Sequence, residues 1–432
     1  MATEHPSAGA AAASPEVRVT GGGDADGVPA AVPVKAGRLI VLLLALVPFS
    51  QIPLDAYSPA LPQMVEALNA NPTLIQNTVT AYMLGMSFAL VPAGLLADAF
   101  GRRVVVLAGM VLLIAMSAAC ALAASAEWML AFRFVQGLGG SVCLVVGYAI
   151  AADVFRGAKL TSVVGLLGAA WGLAPVLAPA VGGLLVDVMS WRMIFVLIGA
   201  MAAVVTVAVY FGLPETLAPA RRTPVDLRKT LSVAGTALSN RSFVCYTLVF
   251  GAMASAQLVV GVVAPFLYQD GLGFSPAGYG IVAFLLGGAN LAGELGCSYF
   301  AGRATPRRLG FAVFGVYMLG ALALFLFGLA WGTEIVSLSL GCALVLAACG
   351  LLCPLMYGMT LGLFDRNLGL IGGMTTAACY FIVSGAMAVA AALPDHSPGP
   401  MGGLFVVLGI VAGGLLFAGL PRAASHQQAT TP

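Results

Sequence analysis

The chain alternates long apolar runs with short polar breaks, twelve times over. The runs cover roughly residues 38–57, 74–97, 104–124, 128–152, 160–185, 192–213, 242–268, 278–300, 309–331, 335–364, 368–393 and 401–420. Each is close to the stretch of about 20 apolar residues that an α-helix needs to cross the bilayer core. A backbone in hydrocarbon must satisfy its own hydrogen bonds, so every run is expected to be a helix. The expected fold class is an all-α membrane protein with twelve transmembrane helices. The tenth run is longer than a span needs, and Pro354 predicts a break within it. The longest polar interruption, 214–241, reads PETLAPARRTPVDLRKTLSVAGTALSNR and follows the sixth run. It divides the chain into six-helix halves at 38–213 and 242–420.

Composition agrees with a chain solvated by lipid: 60% of the 432 residues are hydrophobic and 8% are charged. Residues 1–37 are rich in Ala, Gly, Ser and Pro and lack a signal-peptide h-region, so they read as a disordered cytoplasmic tail, matched by a short tail at 421–432. The net charge of +2 says little, but its distribution sets an orientation. With the N-terminus inside, every Lys and Arg falls in a cytoplasmic segment except Arg133, within a span, and Arg192, at the outer face. The outer loops carry Glu66, Glu127, Asp187, Asp270, Glu334 and Asp395 instead. This is the positive-inside rule, and a miscounted span would have inverted part of it. Two six-span halves joined by an inner loop form the layout of a rocking-bundle secondary transporter, with its site between the halves near the midplane.

Several other classes lack their chemistry. All eight cysteines lie inside apolar runs, without metal or disulfide spacing, and read as small packing residues. The three histidines, at 5, 396 and 426, lie in tails or a loop, so no His-based metal site or triad falls in the membrane body. No Walker-type glycine-lysine loop supports an ATP-driven pump. A membrane enzyme would need clustered nucleophile, base or metal ligands, and the spans supply none.

Five motifs carry more. Between runs two and three lies GLLADAFGRR, Gly94 to Arg103. Gly94 and Gly101 permit close packing and a tight turn. Asp98 is placed to face the positive N-terminus of a neighbouring helix, and Arg102 and Arg103 are expected at the cytoplasmic surface. Run four opens LAFRFVQGLGG, Leu130 to Gly140, with Arg133 inside the span, where an arginine normally has a partner or a wet cavity. Run five holds LAPVLAPAVGG, whose Pro175, Pro179, Gly182 and Gly183 permit bending and close helix contact. Run one closes on LDAYSPALP, Leu54 to Pro62, and AADVFRG follows run four.

The first of these resembles the signature loop of the major facilitator superfamily, G-x-L-A-D-x-x-G-R-[RK], with Ala99 where the family often has a basic residue, so an ion pair there must use Arg102 or Arg103. The second resembles the superfamily's span-four motif, and the third its antiporter motif, with Ala178 in place of the usual Gly. Together they resemble the twelve-span drug:proton antiporters of the bicyclomycin/chloramphenicol (Bcr/CflA) type, over about 38–420. The resemblance implies a major facilitator fold and export of a small amphipathic drug, such as a phenicol or bicyclomycin, in exchange for protons. It implies a monomer in the bacterial cytoplasmic membrane, both termini cytoplasmic, with no cofactor, metal or nucleic acid. Export of a self-made metabolite, uptake by symport, and a non-coupled channel or receptor are the other readings.

Asp55 and Arg133 are the expected proton-coupling pair. At 1.5 Å per residue Asp55 lies about 25 Å along its span, and Arg133 about 7–8 Å from the outer face, so both fall in the outer third of the membrane. Burial favours a neutral acid and a nearby guanidinium favours the anion, so a change in their separation links proton binding to cargo binding. Asp55 as a helix-end carboxylate reaching interfacial water, and Arg133 as a structural residue on backbone carbonyls, are the plainer readings. Glu294, in run eight, is a second carboxylate, read as a capping or snorkelling residue near Arg303 unless the cavity reaches it. Gln51, Tyr57, Tyr246, Gln257 and Tyr357 lie on the spans expected to line the path, and suit a small aromatic ligand.

Overall fold

The computed structural model describes residues 36–300, 303–364, 366–394 and 397–419. The expected tails lie outside the described residues, except for Ala36 and Gly37, which begin the first helix. Asp395 and all three histidines also lie outside them. Among the described residues every regular element is helical. Twelve helices are long and apolar enough to cross a membrane by length and composition: Ala36–Ala67, Pro72–Phe100, Arg102–Ala121, Ala126–Val154, Gly157–Val188, Arg192–Gly212, Arg241–Gly271, Pro276–Phe300, Pro306–Ala330, Ile335–Leu361, Leu368–Ala391 and Pro398–Phe417. They are called spans one to twelve.

Their starts follow local chemistry. Asn71, Ser125, Asn240 and Thr305 each accept a backbone N–H of the turn they precede. Glu334 does the same for span ten, and the N–H groups of Ser337 and Val336 hold its carboxyl below the usual carboxylate range. Gly101 turns span two into span three at φ +105°, a conformation that favours glycine.

Two expectations about breaks are corrected. Span ten runs unbroken through Pro354, which sits on an exposed face. Proline removes one helix hydrogen bond, and a helix packed against four neighbouring spans absorbs the loss. Span one, expected to end near 57, instead continues to Ala67 in five short pieces. Pro48, Pro53, Pro59 and Pro62 each occupy the first or second position of a new piece, where a missing N–H breaks no bond. The polar linker also contains a helix, Leu227–Ser239, capped by Asp226 and packed on spans seven and eleven.

The spans form two bundles. In the first, span four packs on spans two and three, and span three on span six. In the second, span nine packs on ten and twelve, and span seven on ten, eleven and twelve. The halves meet along two seams, span five against span eight and span two against span eleven. Small residues bring the backbones together: a Cβ on Gly85 or Gly137 would overlap the backbone of the facing helix.

Candidate functional site

Breaking span one into short pieces leaves carbonyl oxygens without helix partners, and these build the site. Arg133, 0% exposed, donates from Nη1 to the Pro53 carbonyl at 2.8 Å and to Gln136 Oε1 at 2.6 Å. Gln136 is fixed in turn by donating to Ser117 Oγ at 2.8 Å. The guanidinium lies 4.4 Å from both the Tyr57 and Tyr82 ring centroids, a cation held between two aromatic faces. Tyr82 donates to the Ser50 carbonyl, 2.9 Å away, and Trp171 of span five donates to Ser50 Oγ at 3.1 Å.

Asp55 follows Pro53 by two residues. It is half-buried, and its Oδ2 is sealed from solvent with no hydrogen-bond partner. Gln51, one turn earlier, is buried, with Oε1 likewise unpartnered. Arg133 of span four therefore binds the turn of span one that carries Asp55, but none of the ion pairs among the described residues joins the two. Arg133 Nε and Nη2 are buried and unpartnered on the same guanidinium.

The expected cargo residues are not all alike. Tyr57 is closed inside the first bundle: its hydroxyl meets Thr78 Oγ1 at 3.0 Å and its ring packs 5.4 Å from Phe195. Tyr246 is buried, while Gln257 and Tyr357 are half-buried. The Tyr357 ring lies 5.8 Å from Phe250 of span seven.

The signature loop is built differently from expectation. Arg102 is 8% exposed, so it does not lie at the surface. It pairs with Asp98 at 2.6 Å and with Asp153, of AADVFRG, at 3.0 Å. The acid at the N-terminus of span three is Glu215, not Asp98: its carboxylate accepts the N–H of Arg102 at 2.9 Å and of Arg103 at 3.3 Å. Asp98 is instead taken up by the side chain of Arg102, across the Gly101 turn. Arg103 donates to the Tyr210 carbonyl at 2.6 Å and packs over that ring. Gly94 packs against Val145, and a Cβ on Gly101 would stand 2.4 Å from Glu215 Oε2. Sequence reasoning named Asp153 only within a motif and missed Glu215, whose signal was an acid two residues past Leu213, the end of the sixth apolar run.

Span five carries both prolines inside one continuous helix, and its glycines are contact points. A Cβ on Gly182 would meet the Ala56 carbonyl at 1.8 Å, and one on Gly183 the Pro276 carbonyl at 2.4 Å. The motif thus presses span five against span one and against span eight of the other half. Among the described residues, no group of three or more His, Cys, Asp or Glu is placed to hold a metal ion.

Comparison with known proteins agrees with this architecture. Residues 43–380 match the Major Facilitator Superfamily. Multidrug resistance protein MdtL of Salmonella heidelberg (strain SL476) is 31% identical over 287 residues, 66% of this chain and 72% of that protein. The uncharacterized MFS-type transporter YdgK of Bacillus subtilis (strain 168) is 31% identical over 266 residues, 61% of this chain and 66% of that protein. Among solved structures, a D-xylose-proton symporter superposes with a TM-score of 0.72 at 14% identity, covering 89% of this chain and 97% of that one. The human organic anion transporter MFSD10 (TETRAN) gives 0.60 at 19% identity, covering 88% of this chain and 97% of that one. With twelve spans in two bundles, the signature turn between spans two and three, and a match over most of its length, the chain belongs to the Major Facilitator Superfamily.

Proposed function

We propose that this chain exports a small amphipathic drug, of phenicol or bicyclomycin type, in exchange for protons, as in the Bcr/CflA branch. The observation that carries the reading is the carboxylate of Asp55, partly buried with one oxygen unpartnered, one turn from a fully buried guanidinium it does not touch. A buried carboxylate without a counter-cation is stable as the neutral acid, and approach of a cation stabilises the anion. Asp55 takes a proton from the outer side, and releases it inside when movement of span one brings the carboxylate onto the unfilled Nη2 of Arg133. Gln51, Gln257 and Tyr357 supply the polar and aromatic contacts to cargo, with Tyr246 behind them and Tyr57 acting through Arg133. The relatives named for multidrug resistance support export over uptake.

In this reading the face bearing Arg102, Arg156 and Lys159 is cytoplasmic, the bilayer is the bacterial cytoplasmic membrane, and the working unit is a monomer, its halves bounded at 38–213 and 242–420. Asp98, Arg102, Asp153 and Glu215 fasten the cytoplasmic end of the first half and gate its movement.

The test is a drug-sensitivity panel in an efflux-deficient bacterial host expressing the chain, with and without a protonophore. Resistance to a phenicol or bicyclomycin that vanishes with the proton gradient is expected. Resistance that survives its collapse rejects proton coupling, and conductance without counter-transport in proteoliposomes favours a channel.

A further inference from the structure

A second carboxyl lies where the two halves touch. Glu294 of span eight accepts Asn290 Nδ2 at Oε1, 3.0 Å away. Its Oε2 lies 2.9 Å from the place a Cβ on Gly172 of span five would occupy, so the carboxyl reaches across the seam to the other half's backbone. From the opposite face the seam is close at Gly183 and Pro276, at Gly280 and Pro179, and at Gly287 and Val176, and then at Glu294 and Gly172. Towards the basic face, Gly165 has nothing within 4 Å of its Cβ position, and Gly168 has only the Tyr148 hydroxyl at 3.7 Å. Glu294 thus fills the last close contact before spans five and eight diverge.

Among the described residues, no charged side chain pairs with it. None of the three ion pairs among the described residues includes Glu294. On span five the only charged residues are Lys159 and Asp187, near its two ends, and span ten, the other neighbour, has none. The titratable groups facing it are Cys297 of its own helix, Cys353 of span ten and, beyond Gly168, Tyr148 of span four. Arg303, beyond the end of span eight, is spent elsewhere: its guanidinium bonds the Tyr299 carbonyl and lies 4.1 Å from that ring. This replaces the expected snorkelling role beside Arg303. Asn290 is 4% exposed, and its Oδ1 is buried without a donor. An ionised Glu294 leaves this amide–carboxyl pair one donor short, and a protonated Glu294 supplies it.

We propose that Glu294 is a second proton-binding site, neutral while span five lies against span eight and ionised when the seam parts at the basic face and water reaches it. Closing the seam strips water from the carboxyl, and opening it returns that water, so the proton and the position of the two spans are linked. The site also has a path to the first carboxyl: Trp171, next to Gly172, holds Ser50, one residue before Gln51. The inference rests on the proton-coupled reading for its use in transport, but its test reads the proton and the seam directly.

The experiment uses the full chain in lipid nanodiscs, with spin labels at Thr161 and Ser298, both exposed near the basic ends of spans five and eight. In the unsubstituted protein the label separation should widen as pH rises, together with loss of a carboxylic-acid infrared band. Glu294→Gln, an uncharged isostere, should remove that band and hold the short separation at every pH. Asp55→Asn should leave both signals in place. Gly172→Ala, which crowds Oε2, should favour the wide separation even at low pH. A Glu294→Gln protein that keeps the band and the pH-dependent widening overturns the proposal. Drug efflux that ignores the proton gradient would overturn the coupled-export reading while leaving this result standing.

Discussion

Arg133 shows how a charge can be kept inside a membrane without an opposite charge on it. Two aromatic faces, the Pro53 carbonyl and the Gln136 amide hold the guanidinium, and Nε and Nη2 stay unfilled. That arrangement stabilises the cation while leaving it able to receive Asp55. Two outcomes follow for single side chains. Asp55→Asn should leave the fold intact and abolish proton-driven efflux, because the amide cannot exchange a proton; wild-type accumulation of drug in everted vesicles would sink this assignment. Gln136→Leu removes one of Arg133's acceptors and leaves that donor unsatisfied, with an expected loss of about 1–3 kcal/mol. The readout is a lower melting temperature of the purified protein, with the effect of Arg133→Lys larger because an ammonium cannot span the same partners.

At the scale of elements, the helix contacts rest on glycines that face backbone, and their neighbours make a direct comparison possible. Gly183→Ala places a methyl 2.4 Å from the Pro276 carbonyl, which cannot rotate away, so spans five and eight must separate. Overpacking of this kind is worth about 1–3 kcal/mol or more, and efflux should fall sharply. Gly165→Ala, on the same helix with nothing within 4 Å, should express and melt like the parent. Equal behaviour of the two variants would remove the seam as an explanation for the span-five motif. The twelve spans were legible as apolar runs because length and hydropathy are local properties. The pieces of span one were not: Pro59 and Pro62 read as an end, whereas each restarts a helix. Burial of Arg102 was equally hidden, since Asp153 lies 51 positions away in sequence and only the packing of span four on span three brings it near. Arg133 and Gln136 were legible as a motif, but the aromatic sandwich around Arg133 depends on rings from spans one and two.

For the whole molecule, the hydrogen bonds between the halves show which face is shut. Thr73 donates to the Ala391 carbonyl at 2.8 Å, Gln269 to the Pro59 carbonyl at 2.9 Å, and Ser275 to Asp187 at 3.3 Å, all at the face opposite the basic residues. Ser87 to the Ala377 carbonyl, at 2.7 Å, lies near the middle of its span. Transport by alternating access requires the first three to break in every cycle, because each face of the molecule must open in turn. A disulfide between Thr73→Cys and Ala391→Cys would forbid this. Six of the native cysteines are buried, so only Cys297 and Cys353 need replacement by serine to keep the background quiet. Oxidation of the double variant should stop efflux, and a reductant should restore it. If the Thr73–Ala391 cross-link forms and efflux continues at the parental rate, the halves do not part at this face, and cargo must leave by a route that does not separate spans two and eleven.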